Sequence, residues 1–135
     1  MQRRTLLTAG FALLMAAAPV LAHHSFSAEF DNKKPVKLQG FVTKVEWTNP
    51  HVWFYINVKD PSTGKTTNWG FEMGPPHGLQ GQGWKRETMQ LGDEVIVEGT
   101  LAKNGSNRAN ARSVLVAKTG KRYGTASSEG QADQQ

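Results

Sequence analysis

Four histidines, His23, His24, His51 and His77, are the residues of this chain best suited to bind a metal ion. If the chain is cleaved after Ala22, His23 becomes the first residue, and its α-amine and imidazole can chelate Cu(II) together. An α-amine has a pKa of about 8, so a metal ion can displace its proton near neutral pH. His24 supplies another nitrogen, and a further imidazole would complete the planar site that copper prefers. We therefore expect a copper site at the mature amino terminus, although nickel and zinc accept the same donors.

Each histidine also has a simpler explanation. A processed amino terminus can be a polar segment without a function, His51 can bond loop backbone, and His77 beside two prolines fits an exposed loop. If the strands form a meander, His51 and His77 lie at the same end of the sheet. The 12 residues before the first predicted strand can extend over about 40 Å and reach that end. The sequence therefore permits the histidines to converge but does not require it.

Aromatic residues form a second candidate site. Trp53 and Tyr55 alternate with apolar Phe54 and Ile56, so they lie on the opposite face of their strand. Trp69 on the next strand is expected to extend this aromatic face. Sugars and bases stack on such rings in OB-type barrels, across the second and third strands. We therefore expect a small ligand or a partner protein to bind here, unless the rings cover the core of this small domain.

The first 22 residues have the three parts of a secretory signal peptide. Arg3 and Arg4 are followed by an apolar stretch, residues 6–20, and by a small residue, Ala22, at the cleavage position. The apolar stretch is shorter than the roughly 20 residues of a membrane span. We expect a periplasmic or secreted protein with no membrane span after cleavage. The arginine pair also fits a twin-arginine signal, and an uncleaved anchor is the other alternative.

Composition and motifs exclude several classes of function. The chain of 135 residues carries a net charge of +5, which falls to +3 without the two leader arginines. This small excess is not typical of a nucleic-acid-binding protein. Cysteine is absent, which excludes disulfides, thiolate metal sites and cysteine nucleophiles. No catalytic triad pattern or phosphate-binding loop is present, and Glu29, Glu46 and Glu72 form no evident acid–base pair. We therefore expect a binding module rather than an enzyme.

The mature chain divides into three parts. Residues 23–34 form a polar lead segment, residues 35–123 a small domain, and residues 124–135 a polar tail whose composition predicts disorder. Alternation predicts five strands in the domain, at residues 36–47, 52–59, 66–73, 94–101 and 111–118. Gly40 inside the first strand indicates a bend or bulge.

The order of these strands predicts an all-β fold. Three consecutive strands, a long connection over residues 74–91 and two further strands are typical of a small five-stranded OB-type barrel. The connection has room for a short helix near residues 76–81, although its glycines disfavour one. An SH3-like barrel is the alternative.

Several short motifs together resemble a family of short exported bacterial proteins that is catalogued only as a domain of unknown function. They are HHSF at residues 23–26, WTNPH at 47–51, NWGFE at 68–72, GW at 83–84 and LGDE at 91–94. The resemblance extends over nearly all of the mature chain. It implies an exported protein with a small OB-like barrel, and it brings no activity or catalytic residue.

Overall fold

The structure is a computed structural model that describes residues 25–129. The described chain contains two short helices and six strands. They are α1 (Ser25–Glu29), β1 (Phe30–Glu46), β2 (Trp53–Lys59), β3 (Thr66–Glu72), α2 (Pro76–Gly81), β4 (Glu94–Ala102), β5 (Arg108–Val116) and β6 (Lys121–Gly124). The predicted all-β class and the helix near residues 76–81 are confirmed, but the sheet has one strand more than predicted. The leader, His23, His24 and residues 130–135 lie outside the described residues.

The strands pair in the order β3-β2-β1-β4-β5-β6, and each neighbour in this order is antiparallel. In addition, β3 pairs in parallel with β5, where Gly70 lies beside Arg108 and Glu72 beside Asn110. This pairing joins β3 and β5, which are the first and fifth strands in the order. The strands β1 to β5 therefore form a closed ring of hydrogen-bonded neighbours, which removes most free edges.

The first strand is longer than predicted because it starts at Phe30, inside the expected polar lead segment. Its first half pairs with β4 and its last residues pair with β2, from Phe41 to Glu46. Gly40 lies where the strand passes from one partner to the next, and the bulge itself falls between Val42 and Lys44. A side chain at Gly40 would place its Cβ 2.2 Å from the carbonyl oxygen of Asn57. Glycine is therefore required there by the close approach of the two backbones.

The inward faces of the strands supply the core, as the alternation predicts. The rings of Phe54 and Phe71 stack at 5.3 Å on neighbouring strands. The long connection after β3 adds Leu79 from α2 and the buried Trp84, whose Nε1 donates to the carbonyl of Gly124 at 2.7 Å. Proline at the start of α2 suits the first turn, where no backbone N–H is needed. Within residues 25–129, no helix has the length and apolar composition needed to cross a bilayer.

The packed chain continues beyond residue 123, where the sequence places the end of the domain. Lys121–Gly124 form β6, which pairs with β5. Thr125 is buried, and its hydroxyl donates to the carbonyl of Ala111 at 2.5 Å. The alternation of apolar residues does not reveal β6, because an edge strand of four mostly polar residues buries little apolar surface.

Candidate functional site

A histidine and a buried carboxyl group meet where β2 begins and β3 ends. The Nδ1 atom of His51 lies 3.0 Å from Oε1 of Glu72. Two backbone bonds hold the segments together: Val52 N–H donates to Gly74 and Met73 N–H donates to Val52. The imidazole is 35% exposed and the Glu72 side chain only 10% exposed. The buried carboxyl group of Glu72 therefore holds one edge of the imidazole, and the rest of the ring is partly exposed to solvent.

The environment of Glu72 makes its carboxyl group hard to ionise. It lies on the outer face of the sheet, between Trp53 of β2 and Asn110 of β5. Burial, and to a smaller extent the charge of Glu29, raises the pKa of Glu72 from 4.5 to about 7. The group is thus poised to gain or lose a proton near neutral pH. A nearby cation would favour its ionised form.

The helix α1 lies near this pair. Its Phe26 and the first residue of β1, Phe30, are both buried, with ring centroids 5.5 Å apart. The backbone N–H of Lys103 donates to the carbonyl of Glu29 at 2.8 Å, and its ammonium group donates to the carbonyl of Ser27. Ala28 and Glu29 line the same cleft as Trp53, which is the direct partner of Glu72 on the neighbouring strand, so the start of the described chain lies near Glu72.

The structure describes the positions of two of the four histidines. His51 belongs to the pair with Glu72, and His77 is exposed on α2. Across residues 25–129, no group of three histidine, aspartate or glutamate side chains is close enough to hold a metal ion. His77 therefore does not join His51 and Glu72 as a third ligand. His23 and His24 directly precede α1 and lie outside the described residues.

Trp53 and Tyr55 form the outer aromatic face. Their ring centroids are 6.5 Å apart with an angle of 24° between the planes, and both side chains are half-buried. The guanidinium carbon of Arg108 lies 5.3 Å from the Trp53 ring, and the ammonium of Lys44 lies 5.4 Å from the Tyr55 ring. Gly70 leaves room for the Tyr55 ring, which approaches to 3.0 Å of an ideal Cβ. Both rings are therefore covered in part by cations.

Trp69 does not belong to this face, which corrects the expectation from the sequence. The register of β2 and β3 places Trp69 opposite the buried Ile56, and its side chain packs against the core. Directly paired residues point to the same side of a sheet. Trp69 also alternates with the buried Phe71 and Met73, a signal that could have placed it inside.

A cleft of about 460 Å³ adjoins Trp53. One wall is α1 with Phe30, and the other is the β4–β5 loop, residues 103–107, with Arg108 at the start of β5. Sequence reasoning missed Lys103 and Arg108 because they lie far along the chain from the aromatic residues. No local periodicity connects these segments, which the β3–β5 pairing brings together.

Comparison with known proteins identifies a family of unknown function. A family model described as a family of unknown function (DUF6152) matches residues 12–111. This match confirms the resemblance found in the short motifs. No curated protein and no solved structure matches the chain.

Proposed function

We propose, since this chain belongs to the DUF6152 family of unknown function, that the mature protein is an exported, non-catalytic module that binds a transition metal ion. Copper(II) is the ion that suits the donors best, because an α-amine and imidazoles form a nitrogen-rich set. The donors in this proposal are the amine and imidazole of His23, the imidazole of His24 and the imidazole of His51. His77 is left out because it is exposed on α2 and joins no group of donors among residues 25–129.

The observation that carries the proposal is the contact of 3.0 Å between His51 and Glu72. A metal-binding imidazole usually donates its other N–H to a carboxylate or carbonyl, which sets the tautomer and the ring orientation. Here Nδ1 has that carboxylate partner, and no residue of the described chain hydrogen-bonds Nε2. The partial exposure of the ring keeps the second nitrogen available to a ligand.

The position of α1 supports a contribution from the amino terminus. Ser25 begins α1, and α1 contributes Ala28 and Glu29 to the cleft beside Trp53, which pairs with Glu72. The same helix carries Glu29, whose charge acts on Glu72. His23 and His24 directly precede this helix in the sequence, so the proposed amino-terminal donors come from the adjoining part of the chain.

The closed ring of β1 to β5 supports an OB-type barrel. The ring order β1-β2-β3-β5-β4, with α2 between β3 and β4, suits this interpretation, and β6 is then an additional edge strand. An SH3-like barrel accounts less well for the helix and the parallel pairing. In OB-type barrels, ligands bind at strands two and three and at the loops before β2 and before β5. In this chain, the loop before β2 carries His51, β2 carries Trp53, and the β4–β5 loop is the loop before β5.

Export with cleavage after Ala22 is part of the proposal, because only cleavage creates the α-amine of His23. The intact mass of the protein recovered from the periplasm or medium should correspond to a chain starting at His23. Passage through the twin-arginine route would require folding before export, and replacement of both leader arginines by lysine should then block secretion. A recovered chain that starts at any other residue contradicts the amino-terminal chelate.

Copper titration tests the metal site. The mature protein should bind one Cu(II), and acetylation of the α-amine of His23 should weaken binding at least 100-fold, because it removes the amine from the chelate. His51→Gln should weaken binding by about 10- to 100-fold, and Glu72→Gln should weaken it less, because Glu72 only orients the ring. Affinity is measured by competition with a chelator of known strength.

His77→Gln is the matched control for the titration, because this histidine is exposed and outside the proposed donor set. Its copper affinity should match that of the parent protein. Equal affinity in the protein with the acetylated amine would contradict the amino-terminal site. Equal affinity in His51→Gln would remove His51 from the donor set.

We propose as a second candidate function that the outer face binds an organic ligand at Trp53. The supporting observation is the cleft beside Trp53, in which a half-buried indole lies under the exposed guanidinium of Arg108. Its volume falls in the range of about 300–1,000 Å³ that is typical of small-molecule sites. A partner protein that inserts a side chain into the cleft would contact the same indole and guanidinium.

A further inference from the structure

We infer that the cleft beside Trp53 binds an acidic saccharide, with a sugar ring against the indole and the sugar carboxylate on Arg108. This inference rests on the second candidate function and names its ligand. It is independent of the copper proposal, because none of the cleft residues is a proposed copper donor.

Two cations at the cleft have no acidic partner in the described chain. The ion pairs formed by residues 25–129 use other basic side chains, and none includes Arg108 or Lys103. Arg108 is exposed, and the contact with Trp53 holds its planar guanidinium over the ring. A guanidinium in a set orientation can bind a carboxylate through two parallel hydrogen bonds. The cleft therefore offers an anion site next to an aromatic surface.

The apolar part of the cleft suits the carbon-bound face of a sugar ring. Trp53 is half-buried, and Phe30 and Ala28 extend the apolar wall from the side of α1. Aromatic rings in OB-type barrels serve as stacking surfaces for oligosaccharides. The part of the indole that Arg108 does not cover is the surface left for such contact.

The polar rim of the cleft supplies donors for hydroxyl groups. Asn104 Oδ1 accepts from the backbone N–H of Ser106 at 3.0 Å and from its hydroxyl at 2.6 Å. These bonds hold the loop in a turn and leave the amide NH₂ group of Asn104 available to a ligand. A sugar, with hydroxyls around an apolar ring, uses both the rim and the indole.

Charge favours a saccharide with one carboxylate per ring over a nucleic acid. Glu29 lines the same cleft, so one ligand carboxylate has to lie at Arg108 and the remaining carboxylates outside the cleft. A nucleic acid needs a continuous positive track, which the small net charge of the mature chain does not supply. One carboxylate beside Arg108 and Lys103 does not need such a track.

Binding of trigalacturonate and of its trimethyl ester tests the inference, because esterification removes the three negative charges and leaves the sugar rings unchanged. Calorimetry on the mature protein in the presence of a chelator should show the acid binding at least tenfold more tightly than the ester. Arg108→Gln should reduce the affinity for the acid to that for the ester. Trp53→Ala should weaken binding of both by at least tenfold, and Arg86→Gln, an exposed arginine outside the cleft, should change neither.

The outcomes separate the inference from the function on which it rests. Equal binding of acid and ester, with both lost in Trp53→Ala, would overturn the acidic specificity and support a ligand function for the outer face. Absence of binding by both compounds would overturn the inference and leave the second candidate function to a ligand of another class. Binding that Trp53→Ala leaves unchanged would overturn the assignment to this cleft.

Discussion

Replacement of Glu72 by glutamine should stabilise the metal-free protein by about 2–3 kcal/mol at pH 8 and have little effect at pH 4.5. The pKa of Glu72 is raised from 4.5 in the unfolded chain to about 7 in the folded one. Between these values the folded state holds a proton that the unfolded state has lost. The free energy of unfolding therefore falls as the pH rises through this window, by about 1.4 kcal/mol for each unit of difference in pKa.

The groups around Glu72 determine the size of this effect. The charge of Glu29 on α1 adds to the effect of burial, whereas a hydrogen bond from Nδ1 of His51 at 3.0 Å favours the ionised carboxyl group, so the expected loss is smaller than the full shift in pKa would produce. Asn110 on β5 is neutral and adds no charge. Glutamine keeps the shape and the hydrogen-bonding capacity of the side chain without a charge, so the variant removes the titration and little else.

Urea unfolding of both proteins from pH 4 to pH 9, in the presence of a chelator, measures this difference. The lowered pKa values of Asp60 and Asp93 act with the opposite sign but are common to both proteins, so they cancel in the comparison. Glu87→Gln is the matched control, because Glu87 is exposed. Parallel stability curves for wild type and Glu72→Gln across the whole range would contradict the burial of a titrating carboxyl group.

Replacement of Gly40 by alanine should destabilise the protein by more than about 3 kcal/mol. The added Cβ would lie 2.2 Å from the carbonyl oxygen of Asn57, a distance at which one backbone must move. The two atoms nearest to this Cβ, the carbonyl oxygen and carbon of Asn57, both belong to the backbone, so no flexible side chain can move aside. Movement would break the pairing of β1 with β2 and separate the packed faces behind it, which is the kind of change that produces the largest effects of single mutations.

Gly81→Ala is the control for this prediction, since an ideal Cβ at Gly81 meets no atom within 4 Å and the backbone angle is ordinary. Its stability should be unchanged or slightly increased. Thermal unfolding followed by circular dichroism compares the two variants. If Gly40→Ala does not fold, the loss is at least as large as expected. A midpoint within two degrees of the parent protein would contradict the close approach of the backbones.

The sequence alone determined the inward faces of the strands. Val52, Phe54 and Ile56 are buried as their alternation predicts, because a strand directs successive side chains to opposite faces. The short helix and the family were also visible in local patterns. The same rule applied to Trp69 places it inside, where the structure has it. The error came from grouping rings by residue type rather than by face.

Tertiary structure alone decided which distant residues meet. The contact of His51 with Glu72 depends on the end of β3 lying beside the start of β2, and the contact of Arg108 with Trp53 depends on β5 closing the ring against β3. Likewise, the polar residues of β6 and the start of β1 pair through backbone groups that every residue carries. Periodicity records which side of its own strand a residue faces. It carries no information on which other strand lies beside it, because that choice depends on how the whole sheet closes around a shared core.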